Sequence, residues 1–231
     1  MPLVYEGNTA FIKFNSFEYD PNQVFGPNGI RPEAWQRDSF MLVKMCLDQI
    51  REDNKANSNK ITNIVLDLTH NTGGTISALV SILGLMTNED VLIPTMNSQN
   101  NLELVESYKV DADLDKDFTD DDAYTEFNYN ILVSELSFSC GNYLPVVARD
   151  MNLAKLIGRH TGGGMCSVGN INLLDGTTVR ISSNKQLRTS QRDSKGNLID
   201  TEFGIDPDYE LTVDQLWDYK YIDNLINTSA Q

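Results

Sequence analysis

The chain has 231 residues, with 18 Lys and Arg set against 33 Asp and Glu, and a formal net charge of -15. That length suits one large domain with a sizeable core, and that charge argues against nucleic acid or an anionic membrane as partner. No apolar run approaches the ~18 residues of a membrane span, and the first residues lack the basic and apolar regions of a signal peptide.

Residues 3–5 and 9–14 read as strand with almost no lead-in, as if cut from something longer. Residues 15–32, rich in Asn, Gly and Pro, read as loop. The spacing of Trp35, Ser39, Leu42, Cys46 and Ile50, widened by Met41, Val43, Met45 and Leu47, predicts a helix over 33–52. Residues 53–60 are polar loop. ITNIVLDLT, at 61–69, has the continuous Ile/Val/Leu content of a buried strand. It runs into HNTGG and then a helical pattern through Ile76, Leu79, Val80 and Leu83. With a further apolar strand near 91–94, this alternation predicts an α/β fold. Gly73 and Gly74, at the strand-to-helix turn, either supply positive φ or let backbone N–H groups approach a ligand.

The most charged run is DADLDKDFTDDD, at 111–122. Its alternating aspartates resemble a calcium loop, but Lys116 stands where such a loop needs glycine and Asp122 where it needs glutamate, so a solvated acidic loop and no metal are expected. Residues 129–133 read as a buried strand, and from Tyr143 onward Leu144, Val147, Ala148 and Met151 recur at helical spacing. Ser139 lies at the corner between them. It is a good helix cap, and its hydroxyl also lies beside free N–H groups and the positive end of a helix dipole, where a nucleophile belongs. Further on, 154–158 reads as a short strand, and 168–174 with 177–182 flank Asp175-Gly176, a hairpin signal. Residues 184–201 read as irregular, and a helix over 213–226 follows, through Leu216, Trp217, Ile222, Leu225 and Ile226. Cysteines 46, 140 and 166 have no paired spacing and form no ligand cluster, so neither a disulfide framework nor a zinc site is indicated.

Acyl transfer to water needs a nucleophile, a proton acceptor, and donors aimed at the oxyanion. Ser139, the amide of Cys140 and the amides of Gly73 or Gly74 could supply the first and third. Four segments in order, LDLTHNTGG (66–74), ILVSELSFSCGN (131–142), LIGRHTGGG (156–164) and FGIDPDYEL (203–211), resemble the C-terminal processing or tail-specific serine proteases, above all their tricorn branch. That family's own versions look like LDLRxNGGG, LVNExSASASE, VGExTxGG and GVxPDIEV.

The resemblance implies a ClpP/crotonase-like α/β core of stacked βα units, here with a β-hairpin and a C-terminal helix. It implies a serine endopeptidase acting on polypeptides through an acyl-enzyme on Ser139, with Cys140 and Gly73/Gly74 as oxyanion donors and no cofactor. It further implies a single core domain over 1–231, a fragment without an upstream PDZ-like module and N-terminal segment, and an exported parent. An oligomer stays open.

Relatives with a Ser-Lys dyad carry lysine where this chain has Gly164, and glutamine where it has Val168. Thr161, Gly163 and Gly164 instead match the T-x-G-G of tricorn relatives, a branch resembling a Ser-His-Glu arrangement, which brings Glu202 forward as the acid. The histidine of that branch comes from upstream. Within this sequence, His70 adjoins the oxyanion turn and reads either as the base or as a polar turn residue, while His160 lies where relatives vary. Lys155 and Lys185 do not match the dyad's position, Cys140 as nucleophile is chemically open, and Asp150 reads as a family acid or as a helix-end residue. Two rival functions remain: a protease-like domain that binds peptides or small apolar ligands without cutting, and a crotonase-type enzyme acting on a CoA thioester, for which the acidic chain offers no basic patch.

Overall fold

A computed structural model describes residues 2–27, 29–58, 60–118 and 122–229; Thr119, Asp120 and Asp121 of the acidic run lie outside the described residues. In chain order, the first part holds β1 (Leu3–Glu6), β2 (Thr9–Lys13), α1 (Pro21–Val24), β3 (Phe25–Gly26), β4 (Gly29–Ile30), α2 (Ser39–Ala56), β5 (Asn63–Asp67) and α3 (Ile76–Gly84). The middle holds β6 (Val91–Asn97), β7 (Leu102–Tyr108), β8 (Asn128–Val133), α4 (Cys140–Asp150) and β9 (Ala154–Gly158). Then come β10 (Cys166–Asn172), β11 (Thr178–Leu187), β12 (Tyr209–Glu210), α5 (Val213–Leu216) and α6 (Tyr219–Ser229).

The central sheet has the order β1-β2-β5-β8-β9-β12. From β2 onward its pairs are parallel, and β1 closes one edge antiparallel. Alternation along each strand sends side chains to opposite faces. Ile64, Leu66, Ile131, Val133 and Leu156 belong to one buried cluster with Val43, Leu47, Leu79 and Leu144 of α2, α3 and α4. Phe11, Val65, Leu132 and Ile157 belong to a second with Leu216, Ile222 and Ile226 of α5 and α6. Covering both faces is what a parallel sheet requires, and it explains why β5 is buried at every position. Asp67, fully buried at the end of β5, accepts from Thr69 N at 3.0 Å, Thr69 Oγ1 at 2.6 Å and Tyr219 Oη at 2.6 Å, so it shapes the following turn and ties α6 to the sheet.

The strand-helix alternation holds, with corrections: the stretch expected as loop over 15–32 includes α1, β3 and β4, β11 runs to Leu187, into the stretch expected to be irregular, and three further readings change. The helix expected over 33–52 starts at Ser39, because Asp38 caps it by accepting from Met41 N, and runs to Ala56; 34–36 form a separate 3-10 turn. The strand near 91–94 does not extend the parallel sheet. β6 pairs antiparallel with β7 and β11 in a second sheet ordered β10-β11-β6-β7, which includes the expected hairpin. The C-terminal helix is two helices, α5 beginning at a capping box on Thr212. In the acidic loop, ligand atoms of Asp111, Asp113 and Asp115 lie within 4.8 Å of one another, and Asp111 accepts from the backbone of Leu114 and Lys116.

Candidate active site

In an open α/β sheet, sites form beyond the carboxyl ends of the strands. β5 and β8 are neighbours in register, Asp67 opposite Leu132, so the turns that follow them meet. Ser137 Oγ donates to Leu68 O at 2.8 Å and Ser134 Oγ to Thr69 O at 2.5 Å. Asn71, fully buried, holds the glycine turn from inside: its Oδ1 accepts from Gly73 N at 3.0 Å and its Nδ2 donates to Phe14 O at 3.1 Å. Its own carbonyl accepts from Phe138 N at 3.0 Å. The glycine turn and the serine corner are thus one hydrogen-bonded unit.

Ser139 has φ 55° and ψ -120°, a conformation that costs a residue with a side chain ~1–3 kcal/mol. It stands immediately before α4, and its side chain makes no capping hydrogen bond to the described residues. The helix-cap reading therefore fails on geometry. The hydroxyl is held out from a strained strand-to-helix corner, half-buried, against the positive end of α4. Gly73 presses on it, since a Cβ there would lie 2.6 Å from Ser139 Cβ and 3.0 Å from Oγ. The amides of Gly74 and Cys140 have no hydrogen-bond acceptor among the described residues, whereas that of Gly73 is taken by Asn71.

A third segment completes the corner. Ser139 N donates to Gly163 O at 2.8 Å, and Gly164 N to Glu202 O at 2.8 Å, so residues 162–164 run between Ser139 and Glu202. The Glu202 carboxylate accepts from Met165 N at 2.8 Å. Asn142 and Thr161, both buried, brace this segment: Thr161 Oγ1 donates to Asn142 Oδ1 at 2.5 Å and accepts from Ile205 N at 2.7 Å. Apolar periodicity does not reveal Asn71, Asn142 or Thr161; their signal is a polar residue beside a turn glycine or a helix start.

The structure does not bring His70 into hydrogen-bond contact with Ser139. Its exposed ring lies 5.1 Å from that of Trp217, with Nδ1 3.3 Å from Thr69 Oγ1. His160 has both nitrogens engaged, Nδ1 with Asp206 Oδ1 at 2.7 Å and Nε2 with Phe203 O at 2.9 Å. The Asp206 carboxylate foremost, then the Phe203 carbonyl, holds its pKa above the usual histidine value. Lys155 lies at the amino end of β9, away from the corner, and Lys185 pairs with Glu106. Asp150 is a fastener: it accepts from Thr189 Oγ1, Ser190 N and Gln191 Nε2. Burial pushes the Cys140 thiol up to about 11, and its Sγ donates to Gly74 O, so it is a packed hydrophobe and not a thiolate. At the position where Ser-Lys relatives carry lysine, a Cβ on Gly164 would collide with Cζ and Cε2 of Phe138, so the phenyl ring fills that space.

The sequence model of peptidase family S41 matches residues 8–211. Among solved structures, the photosystem II D1 C-terminal processing protease superposes with TM-score 0.60 at 16% identity, over 88% of this chain and 42% of that one. Mature CPAF gives 0.58 at 17%, over 95% and 50%. The tricorn protease gives 0.50 at 17%, over 96% and 17%. No curated protein matches. The chain thus spans no more than half the length of these three structures, and the likeness establishes a shared fold, the ClpP/crotonase-like α/β core.

Proposed function

Because this chain belongs to peptidase family S41, we propose that it is a serine endopeptidase domain that hydrolyses polypeptides through an acyl-enzyme on Ser139. The observation that carries this reading is the strained corner itself: a hydroxyl unused as a cap, at φ 55°, packed on the Gly73 turn at the start of α4. Ser139 Oγ attacks the scissile carbonyl carbon, and the uncommitted amides of Cys140 and Gly74 receive the oxyanion. Glu202 is the acid across the glycine segment. His70 is our candidate proton acceptor, since His160 has both nitrogens engaged, while His70 Nε2 makes no hydrogen bond to the described residues. Catalytic hydrogen bonds often tighten only with substrate bound.

A fluorophosphonate probe tests the reading: it should label the chain at Ser139, and an unlabelled chain, or label that survives Ser139→Ala, would sink it. The position of the His70 ring beside Trp217 favours one second reading, a domain that binds polypeptides without cutting them. Peptide affinity without turnover or labelling would support that alternative. No described helix is long and apolar enough to cross a membrane. We extend the reading to one core domain within an exported parent protein, which fractionation of the producing cell would check.

A further inference from the structure

Phe138 directly precedes the corner serine and is 47% exposed despite its size. The ring is seated firmly. One side abuts Gly164, where a Cβ would collide with it, and a Cβ on Gly162 would lie 3.5 Å from its Cδ2. The ring is therefore rigid on the side of the glycine segment and open elsewhere. Phe203 occupies the other flank of the same glycines, next to Glu202, and is 88% exposed while its carbonyl is fixed by His160 Nε2 at 2.9 Å. Leu136, two residues before Phe138, is 55% exposed.

Single exposed apolar residues need no explanation, but several gathered beside a reactive group mark a binding surface. These residues differ from the ordinary surface in that their backbones are fixed by the hydrogen bonds that build the corner. A side chain entering here meets the Phe138 ring already seated against the glycines, which costs the protein little freedom in binding, while the exposed Phe203 ring is free to close on it. The cations nearby are already engaged, Arg159 with Glu135 and His160 with Asp206, in a chain of net charge -15, so an acidic side chain gains no free counter-charge from either.

We propose that Phe138, with Phe203 across the glycine segment, is the specificity platform of this site and selects polypeptides carrying a bulky apolar residue beside the bond presented to Ser139. This assignment rests on the serine-peptidase reading, and Phe138 acts by direct contact with substrate. The packing that leaves no room for a side chain on Gly164 is the same packing that sets the ring in place.

The test uses the whole chain with Ser139→Ala, which prevents turnover, and fluorescein-labelled peptides identical except for one residue: Phe, Leu, Ala or Asp. Fluorescence polarisation should show the Phe and Leu peptides binding at least tenfold tighter than the Ala and Asp peptides. Phe138→Ala should erase that ratio, and Phe138→Leu, which keeps apolar volume and protects against misfolding, should retain most of it. Equal affinities for the four peptides, no binding, or a ratio untouched by Phe138→Ala in a chain with an unchanged melting transition would overturn the platform. Fluorophosphonate labelling of the chain with Ser139 intact reports separately. Labelling without discrimination defeats the platform alone, and discrimination without labelling defeats only the serine reading.

Discussion

Gly73 and Ser139 share one surface: a methyl group on the glycine would lie 2.6 Å from the serine Cβ and 3.0 Å from its Oγ. The contact joins the turn after β5 to the corner after β8, and Gly73 holds it at φ 102°. Gly73→Ala meets both obstacles at once. Strain of ~1–3 kcal/mol at such a backbone position should lower the melting temperature by roughly 2–10 °C in a domain of this size. Fluorophosphonate labelling should fall at least about tenfold, since a displacement of 1.4 kcal/mol in the barrier suffices. Unchanged labelling would show that the two turns do not depend on each other.

Asn71 carries the internal bracing of that contact. Asn71→Ala leaves Gly73 N and Phe14 O without their partners, in a place where no solvent reaches. Each unsatisfied buried group costs ~1–3 kcal/mol, so the unfolding free energy should drop by about 2–4 kcal/mol in a urea titration. A loss under ~1 kcal/mol would mean that the turn re-forms its bonds elsewhere.

The His160 clamp gives stability a pH dependence of defined sign. Both partners of its ring are acceptors, so both N–H groups are used when it is an imidazolium. The folded pKa is raised, so the clamp's contribution is complete below the unfolded value, about 6.5, and is lost as pH rises through the folded value. His160→Gln should therefore lower the melting temperature more at acidic than at alkaline pH. The ring is half exposed and the effect modest. Equal losses at both ends of the range would contradict the assignment.

Cys140 should be chemically quiet. With its thiol pushed up to about 11 by burial, the reactive thiolate is well under ~1% at neutral pH. Iodoacetamide should leave Cys140 unmodified in the folded chain, and Cys140→Ala, which keeps the backbone amide, should preserve fluorophosphonate labelling. Alkylation at Cys140 in step with lost labelling would point to the thiol instead.

The serine corner, the glycine turn and the central strands were legible because each is contiguous in sequence and has its own periodicity. The start of α2 was not: Trp35 extends the apolar face that Met41 and Val43 continue, and only the Asp38 cap stops the helix at Ser39. β6 announces itself as a strand, but a strand's composition does not say which sheet it joins, and β12 is two residues long. The absence of lysine at 164 was visible, yet its physical counterpart, the Phe138 ring, required three dimensions. His70 stands close to Gly73 along the chain, but its ring's neighbour, Trp217, comes from beyond β12 and could not be read from its own segment.

From β2 to β12 the parallel strands lie side by side in the order in which they are translated. Each new strand can dock on the edge its predecessor left exposed, so the domain is suited to being built outward as it leaves the ribosome. Gly73 emerges first, Ser139 only past the middle of this sequence, and Glu202, Phe203 and the His160 partner Asp206 later still. The corner is thus furnished last on the side facing Glu202. Any chemistry that needs Glu202 therefore waits until this flank has emerged, and segments made before it meet no finished site meanwhile.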